Sequence, residues 1–200
     1  MPQLFCKTTY QVFKESKRKI LSMILPIVAY GAPVLKKKSE SIDSDYPNLD
    51  ELIDNMFDTM YGANGIGLAA PQVGLPIRLF IVDATPFADD EELTEEERNT
   101  FLNFKKVFIN AQILEETGEE WEFNEGCLSI PEIREDVTRK PEMKIQYMDE
   151  NFVEHTETYS GLIARVIQHE YDHIEGILFT DKLSSFKKRL LKGRLNKISQ

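Results

Sequence analysis

Gln168-His169-Glu170-Tyr171-Asp172-His173 reads H-E-x-x-H, inside a segment whose apolar residues Leu162, Ile163, Val166, Ile167 and Ile174 fall at helical spacing. On a helix, positions 169 and 173 leave the same face one turn apart. Two imidazoles so placed can share one divalent metal at about 2.0–2.1 Å each. Glu170 follows the first histidine by about 100° round the helix. It is badly placed as a ligand and well placed to reach a water as a general base. Only three histidines occur in 200 residues, and two of them stand here around a glutamate. The pattern therefore reads as a metal site rather than as a chance pair on a surface helix.

A catalytic site needs a third protein ligand and an open position. Beyond His173 the chain offers Glu175, on the same helix end, and Asp181; Lys182 to Gln200 contains no acid, histidine or cysteine. The third ligand is expected upstream, where Glu125-Gly126-Cys127-Leu128-Ser129-Ile130-Pro131 supplies Cys127. A lone cysteine is ordinarily a small buried core residue. Beside an H-E-x-x-H that lacks its downstream partner, it reads instead as a thiolate pointing into a cleft.

Gly65-Ile66-Gly67-Leu68-Ala69-Ala70-Pro71-Gln72, Glu125-Gly126-Cys127-Leu128-Ser129 and the H-E-x-x-H stretch resemble the three signature motifs of peptide deformylases, in the family's order. The likeness runs from about Met23 to the C-terminus. It implies a metal-dependent hydrolase that removes the N-formyl group from the formylmethionine of newly synthesised proteins and releases formate. In that reading Cys127, His169 and His173 hold one divalent ion, with Fe2+ expected and Zn2+, Ni2+ or Co2+ possible. Glu170 is the general base. The Gln72 amide and the Leu128 backbone N–H meet the negative charge on the formyl oxygen. The peptide pairs as an added strand with backbone near Ile66, Gly67 and Gly126, and its methionine enters an apolar pocket walled by Phe123, Leu162 and Val166. The last two are placed by their spacing from His169. Arg165, one turn before His169, is expected at the pocket rim. Arg134 either reaches the peptide or lies on the surface, and Glu125 either orients a ligand or is solvated. Tyr171 reads as core and Asp172 as a salt-bridge residue. Judged without the resemblance, Gln72 is a surface amide.

The remaining composition bounds the cell biology. A net charge of −10 argues against a general nucleic-acid binder and gives no sign of specific DNA recognition. Cys6 and Cys127 provide no disulfide framework, and a metal-binding thiolate favours a reducing, cytoplasmic setting. Residues 1–22 carry Lys7, Lys14, Lys17, Arg18 and Lys19 against Glu15 and read as an N-terminal extension or an upstream start; residues 23–200 read as a single catalytic domain. The apolar run Ile20 to Ala29 is too short to span a bilayer.

The expected fold is α+β: a mainly antiparallel sheet packed around the central metal-binding helix, with an N-terminal amphipathic helix and a C-terminal helix. Leu49, Leu52, Ile53, Met56, Phe57 and Met60 set the first helix. It runs into a glycine-rich loop, Tyr61 to Gly67, that lacks the Lys-Ser/Thr of a phosphate loop and suits close approach of a peptide backbone. Strands are expected at Ile77 to Asp83, Lys106 to Leu114 and Trp121 to Phe123, and in a hairpin of Met143 to Met148 with Phe152 to Tyr159. Asp89 to Glu97 is a solvated acidic insertion, and His155 a surface residue. The final segment has seven basic residues and no acids, with Leu183, Phe186, Leu190, Leu191, Leu195 and Ile198 on an apolar side. Ser184 or Ser185 caps its start. Its basic stripe makes the ribosome a candidate partner, alongside the formylmethionyl nascent chain itself. Two other classes stay open: a zinc endopeptidase of the H-E-x-x-H kind, and a protein using the same ligands structurally without turnover.

Overall fold

The computed structural model describes residues 23–199. The extension assigned to residues 1–22 lies outside the described residues. The first helix, α1 (Leu49–Gly62), forms where the apolar spacing predicts, with Asp50 and Glu51 in its first turn, where the helix dipole favours acids. Its buried face carries Ile53, Met56, Phe57 and Met60.

Five strands form an antiparallel sheet in the order β1 (Gly67–Ala69), β2 (Leu79–Asp83), β3 (Lys105–Thr117), β6 (Glu142–Met148), β7 (Glu154–Ser160). All five residues of β2 are buried, because both faces of the sheet are covered. Leu79 and Ile81 pack with the α1 residues, while Phe80 and Val82 pack with Ile163 and Ile167 of helix α3 (Gly161–Ile174). The alternation of β2 thus assigns one helix to each face. Between β2 and β3 the acidic insertion ends in a short helix, α2 (Glu95–Leu102), capped reciprocally by Thr94 and Glu97.

A separate hairpin, β4 (Trp121–Cys127) with β5 (Ile130–Arg139), covers another side of α3. Its Ile130, Ile133 and Val137 join Phe179 and the C-terminal helix α4 (Ser185–Ile198) in a third cluster. Helix α3 is consequently enclosed on most of its circumference, and even Arg165, Gln168, Glu170 and Asp172 are buried. Gly161, with φ +60°, makes the turn from β7 into this helix, a conformation that favours glycine.

The elements depart from expectation at four points. Strand β5 was not anticipated, and β4 extends to Cys127 rather than stopping at Phe123. The apolar side of α4 is incomplete: Leu191 and Leu195 are buried, but Phe186 and Leu190 are 68% and 65% exposed. Ser184 does cap α4, accepting from the Lys187 backbone N–H. His155 is a half-buried residue stacked on Tyr147 and bonded to Asp149. No helix among the described residues is long and apolar enough to cross a membrane.

On the β3–β6–β7 face, Glu157 gathers Lys106 at 2.7 Å, the Tyr147 hydroxyl at 2.6 Å and the Tyr159 hydroxyl. Burial alone would raise its pKa, but these donors outweigh it and bring the carboxyl down from 4.5 to about 2. A depressed carboxylate contributes stability that is present above its ordinary value and lost as the pH falls toward the folded one. Glu157→Gln should therefore lower the melting temperature at pH 7 by a few degrees, solvent screening keeping the effect small. The gap to the parent protein should close as the pH is taken from 5 to 2. A gap that stays constant across that range would remove the charge from the explanation.

Candidate metal centre

Helix α3 presents His169 and His173 with ring centroids 5.1 Å apart. Cys127 ends β4 immediately before the Leu128-Ser129 turn, which carries its sulfur to 3.3 Å from His173 Nε2. Ligating atoms of Cys127, His169 and His173 all lie within 4.8 Å of one another. Sulfur and nitrogen bound tetrahedrally at about 2.3 and 2.0 Å from one ion would stand roughly 3.5 Å apart. One thiolate and two imidazoles at this spacing fit a divalent first-row ion.

The surroundings support that fit. His169 Nδ1 lies 2.9 Å from Glu125 Oε2, so its Nε2 is the nitrogen left for the cluster. A carboxylate in this position orients a ligand imidazole and strengthens it as a donor. Glu125 is buried and accepts from Arg139 and Arg165 as well. Burial would raise its pKa, but its bonds with His169 and Arg139 hold the carboxyl well below the usual range. Burial pushes the pKa of His173 down, which favours the neutral form a metal requires.

Glu170 lies beside this cluster and is only 4% exposed. Burial pushes its carboxyl up to about 7, and its Oε2 is buried without a partner among the described residues. Gly67 makes room for it. A Cβ at residue 67 would stand 2.4 Å from Glu170 Oε1 and 2.8 Å from its Cγ and Cδ. The glycine-rich loop therefore serves a neighbour inside the protein, a use that its sequence did not reveal.

Gln72 is 1% exposed, so the surface position it would be given without the resemblance does not apply. Its Oε1 accepts from the Ala69 N–H at 2.9 Å, which turns Nε2 toward Cys127 Sγ at 3.5 Å and Ser129 Oγ at 3.4 Å. The N-terminal segment braces both neighbouring loops: Val28 N–H donates to the Gln72 carbonyl and Tyr30 N–H to the Ser129 carbonyl, each at 2.8 Å.

A cleft of about 550 Å³ opens beside the cluster. Ile66, Gly67, Phe123, Gly126, Leu128, Leu162 and Val166 all line it, as do Gln72 and Glu170. Arg165 touches the cleft but is no rim charge. It is 2% exposed, lies over the Trp121 ring at 4.4 Å, and donates to the Trp121 and Val137 carbonyls. Arg134 folds back on Asn124, with Nε 2.9 Å from Oδ1, at the cleft wall. Arg139, Ile130 and Ile133 belong to the surroundings of the site and were missed with β5. Arg139 binds Asp172 at 2.6 Å, so that residue is the ion-pair member expected, and Tyr171 packs against the core.

The family model for polypeptide deformylase matches residues 24–189. The chain is similar to a peptide deformylase of Christiangramia forsetii, 71% identical over 178 residues that span 89% of this chain and 91% of that protein. It is 64% identical to one of Flavobacterium johnsoniae, over the same shares of the two chains. A solved peptide deformylase of Legionella pneumophila superposes with a TM-score of 0.74 at 35% identity, covering 88% of this chain and 95% of that one.

The tight fit of residue 67 against Glu170 gives a size-exchange test. Gly67→Ala should cost about 1–3 kcal/mol in urea denaturation, as overpacking does. In a Glu170→Ala background, which vacates that space, the same change should be nearly neutral. Equal costs in both backgrounds would separate the two residues.

Proposed function

The chain belongs to the polypeptide deformylase family, and from that premise we propose how its residues divide the work. The protein is a metal-dependent hydrolase that removes the N-formyl group from the N-terminal formylmethionine of newly synthesised proteins and releases formate. The observation that carries the residue assignment is the convergence of Cys127, His169 and His173 beside the buried Glu170.

Cys127, His169 and His173 hold the ion. When bound, it supplies Lewis acidity that makes a water nucleophilic near neutral pH and polarises the formyl oxygen. Glu170 takes the proton of the attacking water and delivers it to the departing amine. The Gln72 Nε2 amide and the Leu128 N–H donate to the oxygen on which charge develops. The direction of the Gln72 amide matters, since the Ala69 N–H already holds its other end. The peptide lies as an added strand along Ile66, Gly67 and Gly126. Its methionine side chain fills the apolar recess of Phe123, Leu162 and Val166.

Sulfur with two imidazoles accommodates iron, zinc, cobalt or nickel. Ferrous iron is the expected ion in the cell, where a reducing cytoplasm protects its thiolate ligand. Glu170→Ala should retain about one metal per chain while kcat for formyl-Met-Ala-Ser falls about 10²–10⁴-fold. Formate release at the parental rate from that variant would refute the general base.

Helix α4 is the proposed contact with the ribosome, through Lys187, Lys188 and Arg189. Part of its charge is engaged internally, Lys187 with Glu135 at 3.2 Å and Lys188 with the Asp181 carbonyl at 2.6 Å. Reversing all three to Glu should weaken co-sedimentation with ribosomes and steepen its loss with salt, while deformylation of a free tripeptide stays intact. Unchanged co-sedimentation would dismiss this contact.

A further inference from the structure

Glu125 meets more positive charge than the orientation of His169 needs. Its Oε1 accepts from Arg139 Nε at 2.7 Å and from Arg165 Nη1 at 3.1 Å. Its Oε2 accepts from Arg139 Nη2 at 3.0 Å and lies 2.9 Å from His169 Nδ1. Arg139 also reaches Asp172, at 2.6 Å. All four charged side chains are nine-tenths buried or more, where water screens little, and the partly exposed Lys182 adds a further cation to Asp172 at 3.2 Å. Arg139 alone spans both carboxylates. Arg165 adds a second cation to Glu125 and none to Asp172.

We propose that Arg165 is a positioning residue that tunes how tightly the metal is held, acting through Glu125 on His169. The inference rests on Cys127, His169 and His173 being the ligands. A carboxylate bonded to a ligand imidazole raises the basicity of that ligand. A guanidinium on the same carboxylate draws electron density back, and its buried charge opposes a cation nearby. Arg165 therefore weakens the pull of Glu125, and the site grips its ion less strongly than the donor set alone would. That restraint has a chemical use, because an ion that receives less charge from its ligands stays a stronger Lewis acid.

The plainer role for Arg165 is stitching. Its bonds to the Val137 and Trp121 carbonyls tie the β4–β5 hairpin to α3. Loss of those bonds affects metal-free and metal-loaded protein alike, so metal release separates the two roles. The zinc-loaded full chain is mixed with excess chelator, and thermal midpoints are taken with and without zinc. Arg165→Met, which keeps length and removes charge, should release zinc about tenfold more slowly than the parent. The gap between its zinc-loaded and metal-free midpoints should widen. Arg165→Lys, which keeps the charge and loses the fork, should release zinc at the parental rate. If Arg165→Met does not fold, Arg165→Gln carries the same expectation, since it retains an amide donor for one of the carbonyls. Release at the parental rate or faster from the uncharged variant overturns the proposal in favour of stitching. A parent protein that binds no zinc would instead defeat the ligand assignment itself.

Discussion

Glu125 joins the two layers of the molecule. It comes from the β4–β5 hairpin, yet its bonds reach His169 and Arg165 on α3, while Arg139, from β5, bridges back to Asp172 on the same helix. Burying these charges is expensive, and it is tolerated because each is matched by an opposite one in good geometry. Stranding one by removing a partner typically costs about 3–5 kcal/mol. Cys127 lies two residues beyond Glu125, on the same face of the strand. Holding the carboxylate against the helix therefore also fixes where the sulfur sits relative to the two histidines.

The opposite wall of the site is set by packing rather than by charge. Gly67 leaves space that the Glu170 side chain fills, and the Ala69 N–H orients the Gln72 amide toward the sulfur. Met23 to Tyr30 then crosses the α1 side of the molecule and pins the loops carrying Gln72 and Ser129. These hydrogen bonds hold the groups in fixed directions, as the proposed stabilisation of a developing charge requires.

The sequence made some of this legible and hid the rest for physical reasons. Helices α1 and α3 carry apolar residues at 3.6-residue spacing, and the histidine pair falls on one face of α3. Strand β5 was invisible because its buried apolar positions, Ile130, Ile133 and Val137, are spaced by three and four rather than two. Glu132, with φ 63°, breaks the alternation, and Pro131 argues against a strand. Arg139 was lost with it. Gln72 and Arg165 are polar residues whose burial depends on partners distant in the chain: Cys127 and Ser129 for the first, Trp121, Glu125 and Val137 for the second. No local pattern marks such a residue as internal. The exposure of Phe186 and Leu190 has a similar origin, since the span of α4 covered by the hairpin is a tertiary fact.

Cys127 and His173 stand 46 positions apart in the chain and touch only in the finished fold. During translation the thiol emerges first, beside a hairpin whose carboxylate has no helix to bind. The imidazoles follow 42 and 46 residues later. An enzyme that acts on newly synthesised proteins is thus itself equipped late: a new copy gains its candidate ion-holding cluster only once both the hairpin and the helix have been made and brought together.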